Sequence, residues 1–349
     1  MTTRQRQNAS EGAVAIQATG DVVVHQGVSA EEMAEIMVKL GTQLAYFQNE
    51  AMDKVEERLG KFRDEMLTTF SNPEKADPEA FKDPGFQFAL KDAQIAYAKS
   101  GDEELKSILI DMIARRSKEK GRNRLTITLD EAAAHAARLT SEEFSILTLS
   151  YIIRYTVNHG VNTLQSLANY LAKNVMPFVM DPFPGDAAFM HIEATSCGSL
   201  SIGEVDMRGA LIGNYGGVLG MGFDRAKLEE HLPDGKKNAL DGFIIPCINN
   251  STLLQPNGVR RDIFVKNATR GTDIDPTTIH SVWNAFENTI PEDIVALISP
   301  HLPHAHRLFA IWKDASIKSL ELNTLGIAIA HANAVRVVGW KAPLSIWIP

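Results

Sequence analysis

The longest regular pattern of apolar and polar residues in the chain lies between Val28 and Phe70. Its larger apolar residues recur at steps of three, four or five: Met33, Met37, Leu40, Leu44, Phe47, Met52, Val55, Leu59, Phe62, Met66 and Phe70. Charged residues occupy the flanking positions, so the pattern predicts one long amphipathic helix of roughly 60 Å. Ser29, with Glu32 three residues later, forms a capping pattern that marks where this helix starts.

Two interpretations of the apolar stripe are open from the residues alone. The next helices of the same chain could fold back on it, or the stripe could join copies of the chain, because steps near 3.5 residues are those of a coiled-coil seam. We adopt self-association as the hypothesis, with the preceding strand Val22 to His25 adding an edge that a neighbour can extend. The expected interface residues are Val23, Met33, Met37, Leu40, Leu44, Phe47, Val55, Leu59 and Phe62.

The remaining pattern predicts a mainly α (α+β) fold in three parts. Residues 1–72 hold short β-strands and the long helix and serve oligomerisation. A proline-containing linker precedes a helical domain, residues 83–240, in which short connections predict antiparallel packing. Within it, Thr140 and Glu143 form a capping box, and the glycine-rich residues 213–222 are interpreted as turn and packing positions.

Residues 241–349 are expected to form a small C-terminal α+β module. Three helices are followed by a predicted strand at 318–322, a helix at 323–332, and strands at 334–338 and 344–348. This order is similar to a winged-helix layout, in which one helix enters the major groove of DNA.

Composition narrows the class of protein. The chain has 349 residues, of which 44% are hydrophobic, and a formal net charge of −8. The negative charge argues against a surface devoted to nucleic acid or anionic lipid, so we expect protein partners. The two cysteines are too few for a disulfide framework, and no apolar run is long enough for a membrane span, so we expect a cytoplasmic protein.

Several stretches resemble an uncharacterised bacterial protein family that is named only after locus tags. They are GDVVVHQGVSAEEM at 20–33, DPGFQFALKDAQIAYAKSGDEELKSILIDMIARRS at 83–117, LTSEEFSILTLSYIIRYTVNHG at 139–160, NYGGVLGMGF at 214–223 and LELNTLGIAIAHAN at 320–333. The resemblance covers most of the chain but carries over no catalytic residue. Proteins of this kind resemble accessory or sensor components of phage-defence loci, which is an association by type.

Candidate chemistry is sparse. His301, His304 and His306 are the densest histidine cluster and are weak candidates for metal ligands, since their spacing is not a zinc signature. The glycines at 213–222 lack the strand, the helix and the acidic residue of a dinucleotide fingerprint, and the lysine of a P-loop. We therefore assign no catalytic residue, cofactor or metal, which favours a non-enzymatic protein without deciding the point.

The concentrated basic segment around residues 115–124 supplies the candidate nucleic-acid contacts Arg115, Arg116 and Arg122. The alternative for this segment is a solvated helix end whose cations offset the helix dipole. We do not expect nucleic acid as the main partner. The sequence thus leads to a self-assembling scaffold or sensor protein in bacterial anti-phage defence, with nucleic-acid binding through the C-terminal module as the alternative.

Overall fold

The computed structural model describes residues 30–349 and is mainly helical, with 66% helix and 4% strand. This confirms the mainly α fold class. The α-helices are α1 Ala30–Phe70, α2 Pro84–Ser100, α3 Glu103–Lys118, α4 Arg124–Ala136, α5 Ser141–Tyr155, α6 Leu164–Asn174, α7 Asp186–Ala194, α8 Met207–Leu219, α9 Arg225–Glu230, α10 Arg261–Gly271, α11 Pro276–Glu287, α12 Ile294–Ile298, α13 Ala305–Asp314 and α14 Thr324–Val338. The strands are β1 Gly198–Leu200, β2 Ile244–Pro246, β3 Leu254–Pro256 and β4 Leu320–Leu322.

The chain divides into two units, Met1–Val55 and Glu56–Pro349, and α1 contributes to both. Two predicted features of the first unit, the strand with Val23 and the cap at Ser29, lie outside the described residues. The described part of the first unit is the helix from Ala30 to Val55.

The second unit is organised around α14, which packs against α3, α4 and α5. Its residues from Gly326 to Ala334 are all buried, as expected for a helix that is mostly apolar or small on every side, and the buried set includes the polar residues His331 and Asn333. The neighbouring helix α5 begins with the predicted capping box: the Glu143 amide donates to Thr140 Oγ1 at 3.3 Å, and the Thr140 amide donates to Glu143 Oε2 at 2.8 Å. That prediction is confirmed.

The strands within the described residues form two short antiparallel pairs. Strand β1 pairs with β4, with Gly198 opposite Leu322, and β2 pairs with β3, with Ile244 opposite Pro256. The main hydrophobic core takes residues from 62–219 and from 290–348, whereas a second, smaller core lies within residues 223–286. The last helices therefore pack with the middle of the chain.

Two predicted C-terminal strands are wrong. Residues 334–338 belong to α14, which continues until Gly339 ends it with a left-handed backbone (φ +66°) and an amide that donates to the Ala334 and Val335 carbonyls. Residues 344–346 form a 3-10 turn. The β-branched residues of 334–338 continue the helix because the preceding buried residues of α14 already hold that helix in place. Since β4 pairs with β1, the winged-helix layout is not confirmed.

The core of the second unit contains a buried histidine, His331. His331 is fully buried among aromatic rings, with ring centroids 6.1 Å from Tyr151 and 5.9 Å from Trp347. Its Nε2 lies 2.7 Å from the Ala342 carbonyl oxygen, while its Nδ1 has no hydrogen-bond partner among the described residues. Burial, together with the nearby positive charge of Arg115, lowers the pKa of His331 to about 4.

We expect acid to destabilise the protein through His331. The depressed pKa means that the unfolded chain binds this proton first, so the stabilisation is fully present above about pH 6.5 and is lost as the pH falls toward 4. The loss amounts to about 3 kcal/mol. Urea unfolding of the parent and of His331→Gln at several pH values measures it. The variant should show a flatter pH dependence, and identical slopes would contradict the assignment.

Candidate functional site: the exposed surface of the long helix

The apolar stripe of α1 changes its surroundings along the helix. Near its C-terminal end, Phe62, Met66 and Phe70 are buried in the main core. The Phe62 ring lies 6.1 Å from that of Tyr97, and the Phe70 ring lies 6.1 Å from that of Phe86. For this part of the stripe the fold-back interpretation is correct. Phe62 was predicted as an interface residue, and the structure places it inside its own chain.

The earlier part of the stripe is exposed. Its large apolar side chains have exposed fractions between 43% and 69%: Met33, Ile36, Met37, Val38, Leu40, Leu44, Tyr46, Phe47 and Met52. Val55 and Leu59 are half-buried and lie between the exposed part and the buried part of the stripe. The predicted interface residues Met33, Met37, Leu40, Leu44 and Phe47 are thus all on the surface of the described chain.

The exposed positions follow a heptad register. Met33, Met37, Leu40, Leu44, Phe47 and Ala51 are spaced by alternating steps of four and three residues, which places them at successive a and d positions. We call these residues the seam. None of them is charged, and the next position in this register is Lys54. The uncharged seam therefore ends close to Val55, where the first structural unit also ends.

Apolar and small residues also flank the seam. Ile36 adjoins it on one side, and Ala34, Gly41, Val38 and Met52 adjoin it on the other. Glu35, Asn49 and Asp53 lie on the opposite side of the helix, while Gln43, Gln48 and Glu50 are the polar residues beside the seam. A contiguous apolar surface of this kind is rare on monomeric proteins and usually marks an interaction site.

The three histidines do not form a metal site. No group of three or more His, Cys, Asp or Glu side chains in residues 30–349 is placed to hold a metal ion. The His301 Nδ1 lies 3.0 Å from Gln165 Oε1, and the His304 and His306 rings lie 6.2 Å apart. His304 precedes α13 in a left-handed conformation (φ +69°), so these residues shape a helix start.

The three basic candidates have different environments. Arg116 is 6% exposed and donates to Asp130 Oδ1 at 2.9 Å and Asp83 Oδ2 at 3.2 Å, which makes it an interior residue that joins three segments. Arg115 forms a two-point ion pair with Asp111 on its own helix. Arg122 is exposed, so contact with nucleic acid stays a prediction for that residue.

Neither cysteine is placed for nucleophilic chemistry. Cys197 and Cys247 are both buried and free. Burial raises the pKa of the Cys197 thiol to about 11, so it carries little of the reactive thiolate at neutral pH.

A cleft that the sequence analysis missed lies between α8, α10 and α11. It has a volume of about 870 Å³ and is lined by Arg208, Gly209, Ile212, Gly213, Arg260, Arg261, Asp262, Val265, Lys266, His280, Trp283 and Glu287. The adjacent arginines at 260 and 261 are visible in the sequence, but Arg208 is about fifty residues away. No spacing rule could have joined them.

The chain is mainly helical, and its first described helix carries an exposed apolar seam in a heptad register. A protein-family model matches residues 27–348, so the chain belongs to that family, which is uncharacterised and named after a locus tag. The resemblance noted from the sequence is confirmed at this level. No curated protein and no solved structure matches the chain. None of the helices in residues 30–349 is long and apolar enough to cross a membrane.

Proposed function

We propose that this protein is a non-enzymatic scaffold or sensor that assembles with further copies of itself through the seam of α1. The observation that carries the proposal is the uninterrupted, uncharged heptad register from Met33 to Ala51, whose large side chains are exposed in the single chain. A coiled-coil partner would insert its own side chains between these residues and remove them from water.

The charges around the seam favour a second copy as the partner. In the same register the positions beside the seam hold Ala34, Ile36, Gly41, Gln43, Gln48 and Glu50. In coiled coils these positions set partner choice through their charges. Only Glu50 is charged, so identical helices meet along the seam with little like-charge repulsion.

The width of the apolar surface favours more than two helices. Burying a large apolar side chain that is already half covered contributes roughly 1 kcal/mol, whereas association costs an estimated 4–15 kcal/mol. Two short helices that bury only their seams would therefore bind weakly. A third or fourth helix would also cover Ile36, Val38 and Met52, which a two-helix assembly leaves in water.

Light scattering coupled to size-exclusion chromatography tests the proposal on the full chain. At micromolar concentration we expect a mass of at least three times the chain mass of 38.4 kDa, with dissociation on dilution. The apolar seam predicts that high salt leaves the mass unchanged, because no ion pairs hold the assembly together. A monomer throughout this concentration range would reject self-assembly as a resting property.

The sensor role and the place in anti-phage defence are further parts of the proposal. Methionines at positions 33 and 37 pack adaptably, which suits helix contacts that rearrange when a partner is sensed. The defence setting is supported by the resemblance by type alone.

Nucleic-acid binding through a winged-helix-like C-terminal module is the weaker alternative. It needs a strand pair after the third helix, and residues 334–338 are helical instead. Absence of duplex DNA binding at low salt would reject this alternative.

A further inference from the structure

The cleft between α8, α10 and α11 has an excess of positive charge. Arg208, Arg260, Arg261 and Lys266 line it together with two carboxylates, Asp262 and Glu287. Arg260 forms a two-point ion pair with Asp262 at 2.8 and 2.9 Å, and the Arg261 guanidinium donates to Glu287 Oε2 at 2.9 Å. These pairs leave two cations in the cleft without a carboxylate.

Those two cations keep donors for a ligand. Arg208 donates to the carbonyl oxygens of Pro291 and Glu292, both at 3.2 Å, which uses two of the five N–H groups of a guanidinium. Lys266 is exposed and has no hydrogen bond or ion pair within the described chain. The His280 ring also lines the cleft and offers a further N–H.

The rest of the cleft provides space and an apolar wall. Ile212 and Val265 face it beside the cations, and a side chain built on Gly213 would meet no atom within 4 Å. The volume of about 870 Å³ lies within the range of small-molecule sites and far exceeds the need of a single inorganic anion. The occupant should therefore combine an anionic group with a less polar body.

We propose that this cleft binds a small organic phosphate. Arginine and lysine together are the side chains that hold phosphate, and a phosphate group at neutral pH carries close to the two negative charges that balance the unpaired cations. A nucleic-acid strand fits less well, because the chain has a net charge of −8 and would repel an extended polyanion outside the cleft. This proposal does not depend on self-assembly.

Isothermal titration calorimetry of the full chain with inorganic pyrophosphate and with ATP tests the proposal. We expect one site per chain and dissociation constants below about 1 mM for both probes at low salt. Lys266→Glu should weaken the binding of both probes by about tenfold or more, because it replaces an unpaired cation with an anion. The change should cost little stability, because the position is exposed. Lys91→Glu, the same change at an exposed position of α2, is the matched control, and its dissociation constants should stay within about twofold of those of the parent.

A second variant separates shape from charge. Gly213→Leu fills the cleft from α8 without changing its charge, and it removes a glycine from a helix interior, so the fold should be retained. Gly213→Leu should weaken the binding of ATP more than the binding of pyrophosphate. The proposal is overturned if neither probe binds at millimolar concentration, if Lys266→Glu binds like the parent, or if mixed-sequence duplex DNA binds more tightly than ATP and loses its affinity in the same variants.

Discussion

Replacing Leu44 and Phe47 together with Asp should convert the assembled protein into folded monomers. Both residues lie in the seam and are exposed in the single chain, by 62% and 57%, so the monomer loses little packing when they change. In the assembly each new carboxylate would lie in an apolar interface, where an unpaired charge costs several kcal/mol. We expect the association constant to fall at least about a thousandfold, equivalent to about 4 kcal/mol, as measured by sedimentation or light scattering across a dilution series.

Two control variants make this result specific. Asn49→Asp adds a carboxylate to the polar side of the same helix and should leave the mass unchanged. Phe62→Asp places the charge in the core of the second unit, where the parent side chain is fully buried, and should give a destabilised or insoluble protein. Precipitation of the double seam variant would assign Leu44 and Phe47 to a core. An unchanged mass would place the assembly on another surface.

Gly326→Ala should destabilise the fold by about 2 to 4 kcal/mol, although Ala is the better helix former. A Cβ atom on Gly326 would lie 1.9 Å from the Cys197 carbonyl oxygen and 3.0 Å from its carbon. Both are backbone atoms next to β1, so no side chain can rotate away to make room. Helix α14 would have to move from β1, which disturbs the packing of α14 against α3, α4 and α5 in the second unit.

The comparison variant for this prediction is Gly60→Ala. Gly60 also lies within a helix, but a Cβ there would meet nothing within 4 Å, so the change should stabilise the protein by about 0.5 to 1 kcal/mol. Urea unfolding followed by circular dichroism compares the two directly. Equal stability of Gly326→Ala and the parent would show that α14 does not approach β1 this closely.

The long helix shows what a periodic pattern of apolar residues can predict and what it cannot. Apolar steps of three to five residues predicted α1 correctly, because a side-chain period belongs to the helix itself. They did not separate Phe47, which is exposed, from Phe62, which is buried. Lys54 was the sequence signal that could have separated them. Its charge at the next seam position interrupts the register near the point where the exposed part of the stripe meets the buried part.

The candidate sites also depend on contacts that the sequence pattern did not predict. The basic segment was read as one patch, yet Arg116 turns inward to Asp83 and Asp130, one before and one after it in the chain. The cleft joins Arg208 of α8 with Lys266 of α10. Composition could show that these cations exist, but it could not show which carboxylates neutralise them.

The sequence by itself determined the local features: a mainly helical chain, the start of α5 at its capping box, and an α1 with one apolar face. These depend on interactions within a few residues, which the order of amino acids specifies directly. Only the tertiary structure decided that residues 334–338 continue α14, that β1 pairs with β4, and which part of the α1 stripe the chain itself covers. These outcomes depend on contacts between residues far apart in the chain, and a pattern that predicts an apolar face does not specify the surface that will cover it.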